Sequence, residues 1–248
     1  MEEQNMKSQI IKSLLLFVLI VSLINCDDDK NSYAQENDNT VNDSTVLVGD
    51  GTTGTPNDGL LYSAESGPVR SALGVPVIDL ATYQLEITGL VESPYILTWD
   101  EIQATHSIST DKMYMYCVEG WQVWGKWKGI LVEVLLNKAH ILEEGEYVLF
   151  SCVDGYSTAF PISYLQKYDA MLAYQVNLSP LEEKNGYPLR LVAFGKYGYK
   201  WAKWVNKLEV IDESQLGYWE TQGYSDEANV PMNRRRYYEG EDAQPLEY

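Results

Sequence analysis

"NGYPLRLVAFGKYGYKWAKWVNKLEV", residues 185–210, holds two β-prone apolar runs separated by a stretch that fits neither strand nor helix. "LRLVAF" and "KWVNKLEVID" are rich in branched and aromatic residues and read as strands. Between and beside them Gly195 and Gly198 interleave with Lys196, Lys200 and Lys203, which brings flexible backbone and positive charge to one place. A small phosphate needs that combination, because backbone N–H groups and cations can converge on it. A solvated strand edge guarded by lysines has the same composition.

Working outward, "EYVLFSCVDGYSTAF" (146–160) reads as two strands joined at the Asp154-Gly155 turn. In "YQLEITGL" (83–90) Leu85 and Ile87 alternate with Glu86 and Thr88, the period of a half-buried strand. Thr98 and Glu101 in "LTWDEIQA" form a capping box at the start of a short helix. "YMYCVEGWQVWGKWKG" (114–129) ends a β-prone run at Cys117 and continues with tryptophans and glycines in place of more strand. In "GILVEVLLNKA" the spacing of Ile130, Leu131, Val134 and Leu135 predicts a buried helix, with the Gly129 region as the turning point into it. Strands outnumber helices without alternating regularly with them. The expected class is therefore α+β, a β-rich mixed sheet in a single domain over residues 60–223.

Residues 1–26 read as a signal segment: Lys7 and Lys12 precede the apolar run "SLLLFVLIVSLIN", which ends at Cys26 and "DDD". "LINC" resembles a bacterial lipoprotein lipobox, which would make Cys26 the lipidated residue and place the chain outside the cytoplasm, in the periplasm or at the cell surface. Residues 27–59 carry too few large apolar side chains to offset the entropy of ordering them and read as an acidic tether. Residues 224–248 form an acidic, tyrosine-rich tail. The 36 acidic against 18 basic residues, a net charge of -18, oppose binding to nucleic acid. Nineteen tyrosines and seven tryptophans against four phenylalanines suggest amphipathic aromatics at pocket walls.

Cys117 and Cys152, taken alone, allow a structural disulfide in an oxidising compartment. His106 and His140 show no ligand pair at zinc spacing, and neither has the context of a cysteine protease base.

Three segments together resemble the molybdopterin-binding domain of the sulfite oxidase fold: "YCVEGWQVWGKWKGI", residues 185–210, and "GYWETQGYSDEANVP". The resemblance implies a molybdenum-molybdopterin cofactor, with Cys117 as the thiolate ligand of the metal. It implies cofactor contacts at Asn185, Arg190, Trp201, Ala202 and Lys203, and at Cys152 in a further strand. Arginine offers a bidentate fork and lysine a point charge, so the two are not interchangeable. The family's animal and plant sulfite oxidases place an arginine shortly after the cysteine, whereas "VEGWQVWGKW" has none. A neutral substrate is thus expected over sulfite, small or peptide-linked and sulfoxide-like, as in the compact bacterial protein-methionine-sulfoxide reductase branch.

About 25 residues follow "GYWETQGYSD", too few for an appended dimerisation domain, so a monomer is expected. With no haem-attachment motif, electrons would come from a separate membrane cytochrome or quinol-linked partner. The absence of a twin-arginine pair, common where such proteins are exported folded, keeps open a cofactor-free alternative: a tethered module binding a glycan or peptide on the same fold.

Overall fold

A computed structural model describes residues 61–231. The signal segment, Cys26, the tether and residues 232–248 lie outside the described residues, so those expectations meet no structural observation.

Two mixed sheets organise the domain. In the first, β5 (Gln122–Leu131) is the hub: it pairs in parallel with β1 (Leu61–Ser63) and antiparallel with β4 (Ile108–Tyr116) and β8 (Met171–Val176). β8 in turn pairs with β9 (Ser179–Pro180) and β10 (Arg190–Val192). The second runs in the order β3 (Tyr95–Thr98), β2 (Gln84–Gly89), β11 (Val205–Ile211), β6 (Tyr147–Cys152), β7 (Ser157–Pro161). Only the β2–β11 pair in it is parallel, which requires a long connection between the two strands.

Local chemistry accounts for most elements. Leu85 and Ile87 of β2 are buried while Gln84 and Glu86 are exposed, the alternation expected of a strand with one covered face. The helix α1 (Trp99–Ala104) begins at Thr98, whose hydroxyl accepts from the Glu101 amide while the Glu101 carboxylate accepts from the Thr98 amide at 2.8 Å. Loss of such a cap costs about 1 kcal/mol. α2 (Val132–Ala139) buries Leu135, Leu136 and Ala139 against the core, and α3 (Ile162–Lys167) follows β7 directly.

The stretch after Cys117 departs from expectation. Residues 122–131 do not leave the sheet but form its longest strand, hairpinned onto β4. Gly129 is not a break in that strand. A Cβ there would lie 2.1 Å from the Leu172 carbonyl oxygen, so glycine is what lets β8 approach, at a point where the β5–β8 register shifts.

The second half of β4, residues 113–116, is buried on both faces. Met113 and Met115 enter the main core, while Tyr114 and Tyr116 pack in a smaller cluster with Val230, which is 0% exposed. Val230 belongs to a strap, residues 225–231, that continues the packed domain beyond residue 223. Along it the Tyr197 amide donates to Ala228 O (2.9 Å), the Val230 amide to Gly195 O (2.9 Å), and Tyr199 Oη to Ser225 O (2.7 Å). The strap thereby pins the glycine-lysine loop from the side away from the main core.

Candidate active site

A cavity of about 410 Å³ opens where the end of β4, the start of β10, residues 198–204 and the segment 64–72 converge. Six of the side chains singled out from sequence line it: Cys117, Asn185, Arg190, Trp201, Ala202 and Lys203. They arrive there by ordinary means. Cys117 follows the last residue of β4 in a tight turn, with its amide donating to Trp121 O (2.8 Å) and its carbonyl accepting from Gly120 (3.1 Å). Arg190 opens β10 and forms an isolated bridge to Lys203, which couples the two basic residues across adjacent backbone. Asn185 ends a 3-10 turn, and Trp201 and Ala202 follow the next one.

Arg190 dominates the inner wall. It is 8% exposed, and among the described residues no carboxylate pairs with it. Nη1 donates to Asn185 O (3.2 Å), Nη2 to the Met115 thioether (3.0 Å), and Nε has no partner among the described residues. The guanidinium also lies 5.5 Å from the ring centre of Trp127. Burial lowers its pKa to about 10, so it remains a cation at neutral pH, held by neutral polarisable groups. A buried cation with an open donor is an anion site.

Lys203 adds a second basic group, its Nζ donating to Arg70 O (2.7 Å) and Lys184 O (3.1 Å). Burial first and the neighbouring Arg190 charge second lower its pKa to about 7. The unfolded lysine keeps its proton to 10.5, so between those values the unfolded chain binds more protons and stability rises with pH. In cofactor-free protein the urea midpoint should therefore climb from pH 7 to about 7.5, below the range around 8.5 in which unfolded-chain cysteines titrate. Lys203→Gln should flatten that slope, and a slope unchanged in the variant would assign it elsewhere.

Cys117 and Cys152 are free thiols, not a disulfide. Burial raises the Cys117 thiol, partly opposed by the Glu119 amide and the Arg70 charge. A raised thiol is a poor nucleophile, and neither His106 nor His140 lines the cavity; both are exposed. Protease-like chemistry therefore has no base. Cys152, buried at the end of β6, is not among the lining side chains; Asp154 and Tyr156 of the same hairpin are.

The glycine-lysine loop behaves differently from its composition. Lys196 Nζ donates to Glu227 O (2.7 Å) and Asn229 Oδ1 (3.0 Å) in the strap. Lys200 is 1% exposed and pairs with Glu220 (2.8 Å) and Asp226 (3.1 Å). Neither lines the cavity, because each finds acceptors in residues 220–229; only Lys203 faces inward. The Lys200–Glu220 pair instead ties the loop to residues 218–224, whose Tyr218, Trp219 and Tyr224 wall the cavity. Lys200→Met should cost about 3–5 kcal/mol in urea unfolding, because it leaves a buried carboxylate uncompensated, and adding Glu220→Leu should restore most of that.

Sequence reasoning missed Arg70. It sits 47 positions before Cys117, yet its guanidinium reaches the cavity wall and forks onto Glu119, Nε donating at 2.9 and 3.0 Å and Nη2 lying 2.7 Å from Oε2. Glu119 also accepts from Trp121 Nε1 (2.8 Å). No arginine follows Cys117 closely in sequence, yet a distant segment delivers one to the same cavity, with its charge matched by Glu119. No spacing signal marks such a residue.

A single thiol, a buried guanidinium without a carboxylate partner and aromatic walls make a cavity suited to a ligand that carries an anionic group. The family model for the oxidoreductase molybdopterin binding domain matches residues 72–219, and the chain belongs to that family. It is 31% identical over 172 residues to the uncharacterized oxidoreductase YuiH of Bacillus subtilis, covering 68% of this chain and 86% of that protein. It is 32% identical over 148 residues to a putative protein-methionine-sulfoxide reductase subunit, YedZ1, of Azospira oryzae, covering 60% of this chain and 56% of that protein. The sulfane dehydrogenase SoxCD of Paracoccus pantotrophus has the same fold, with a TM-score of 0.57 at 20% identity, covering 77% of this chain and 60% of that one. The α+β, β-rich, single-domain expectation and the molybdopterin cofactor both stand.

The residues present fit that group. Among the described residues no acceptor takes the Arg190 Nε–H, which leaves it open to a phosphate oxygen. Among the described residues no three His, Cys, Asp or Glu side chains gather to hold a metal ion, so a metal beside Cys117 must bring its other donors with it, as a dithiolene pterin does.

Proposed function

We propose that the domain is an extracytoplasmic molybdopterin-dependent oxotransferase that reduces a sulfoxide-like substrate, small or peptide-linked. It works as a monomer tethered through lipid on Cys26, and draws electrons from a separate membrane cytochrome or quinol-linked protein. The observation that carries the reading is the cavity itself, with Cys117 and the unpaired Arg190 fork on its walls.

When bound, the molybdenum centre supplies two-electron oxygen-atom transfer; reducing a sulfoxide to a sulfide and water consumes two electrons and two protons. Cys117 would supply its sulfur to the metal as the thiolate, giving up the proton that burial otherwise keeps on it. Arg190 and Lys203 would hold the anionic phosphate of the cofactor, and Asn185, Trp201 and Ala202 would complete the wall around it. Cys152 supports the neighbouring strand end. Tyr218, Trp219 and Tyr224, with ring centres 5.2–5.3 Å apart in successive pairs, limit water around the reacting atoms. Arg70 bears on the choice of substrate. Its charge is already matched by Glu119, so the wall beside Cys117 offers a polar neutral group better complementarity than a dianion.

The test is turnover by cofactor-loaded protein. With a reduced viologen as electron source, methionine sulfoxide peptides or dimethyl sulfoxide should be consumed, and with an electron acceptor sulfite should not. Sulfite oxidation without sulfoxide reduction would overturn the substrate assignment. Cys26→Ser should move the protein from the membrane fraction to the soluble one.

A further inference from the structure

We propose that Met115 is a displaceable ligand of Arg190: its thioether holds one arm of the guanidinium fork until a phosphate group takes both. The inference rests on the family's cofactor and on the anion site, not on the sulfoxide reading.

Nε and Nη2 of an arginine form the side-on fork that receives a tetrahedral anion in bidentate fashion. In this protein Met115 Sδ sits 3.0 Å from Nη2, and Nε has no partner. The third contact, Nη1 to Asn185 O, lies on the far arm and does not compete. A thioether is a weak acceptor, far poorer than a phosphate oxygen. It therefore satisfies a buried donor without neutralising the charge, which a carboxylate in the same place would do.

Position and mobility fit the role. Met115 lies near the end of β4, two residues before Cys117 in the turn that follows, and both side chains line the cavity. Its unbranched chain can change rotamer at small cost. Gly198 provides the berth: a Cβ there would stand 3.1 Å from Sδ and 3.4 Å from Cε of Met115. A larger residue at 198 would crowd the sulfur and shift it by a few tenths of an ångström. A methionine that served only as core filling would place its sulfur against apolar neighbours, not on the donor of an unpaired cation.

The test uses the full-length chain produced without cofactor in a host unable to make molybdopterin, with inorganic phosphate as probe in titration calorimetry. Met115→Leu removes the acceptor and keeps the bulk, and should bind phosphate about three- to tenfold more tightly, since nothing need be displaced. Met115→Gln substitutes a strong carbonyl acceptor and should bind it more weakly than wild type by a similar factor. Circular dichroism and a cooperative melt establish that both variants fold. Equal affinities in the three proteins, weaker binding in the leucine variant, or no phosphate binding in any of them would each overturn the proposal. Because the measurement involves neither sulfoxide nor turnover, its failure is distinct from failure of the substrate assignment.

Discussion

Arg190→Leu should bring cofactor content down to background while raising the melting temperature of the cofactor-free protein. The two effects have opposite signs because one residue is responsible for both. Burial without a counter-charge lowers the Arg190 pKa from 12.5 to about 10, which means that the folded state is penalised for holding the cation at all pH values below that range. A shift of that size corresponds to on the order of 3 kcal/mol at neutral pH. Leucine removes the charge but fills less space, so a net gain of about 1–2 kcal/mol, or roughly 5 °C, is the expected melting shift. A phosphate-bearing ligand loses its bidentate donor at the same time. Metal and pterin analysis of purified protein, with calorimetric melts of the cofactor-free form, reads both quantities. A variant that melts lower and keeps its cofactor would make Arg190 a structural cation.

Cys117→Ser is expected to abolish turnover and change the absorption of the loaded protein, with little change in fold. The thiol is half-buried and its amide and carbonyl, not its sulfur, close the turn with Gly120 and Trp121. Removing the sulfur should therefore move stability by no more than about 1 kcal/mol. A serine hydroxyl holds its proton far more strongly than a thiol and is a hard donor where a sulfur-rich metal site calls for a soft one. The pterin phosphate would still find Arg190 and Lys203, so metal content should fall less than activity. Wild-type spectrum and turnover in the variant would remove Cys117 from the metal.

The elements that could be read from sequence share one property: their residues decide the outcome with near neighbours. Leu85 and Ile87 alternate with polar residues because a strand has two faces, and Thr98 caps its helix with a partner three residues away. Cys117, Arg190 and Lys203 could be proposed because the short segments that carry them resemble family motifs, whose residue order is local to the chain. Misreadings came where the decisive neighbour was remote. Gly125 and Gly129 suggest a strand exit when viewed along the chain, yet Gly129 continues a strand because Leu172 approaches it from β8. Lys196 and Lys200 suggest an anion nest until Glu220, Asp226, Glu227 and Asn229 fold back onto them.

By itself, then, the sequence determined the class of fold and, through the resemblance of three segments, the family, and it picked out six side chains that line the cavity, because periodicity, capping and motif order are short-range properties of a chain. Only the tertiary structure decided which cations remain uncompensated. Arg190 keeps an open fork with a thioether on one arm, Lys200 is matched by Glu220, and Arg70 crosses from residue 70 to meet Glu119 beside Cys117. A charge is neutralised or left open by whatever lies within a few ångströms of it in space, and distance along the chain does not measure that.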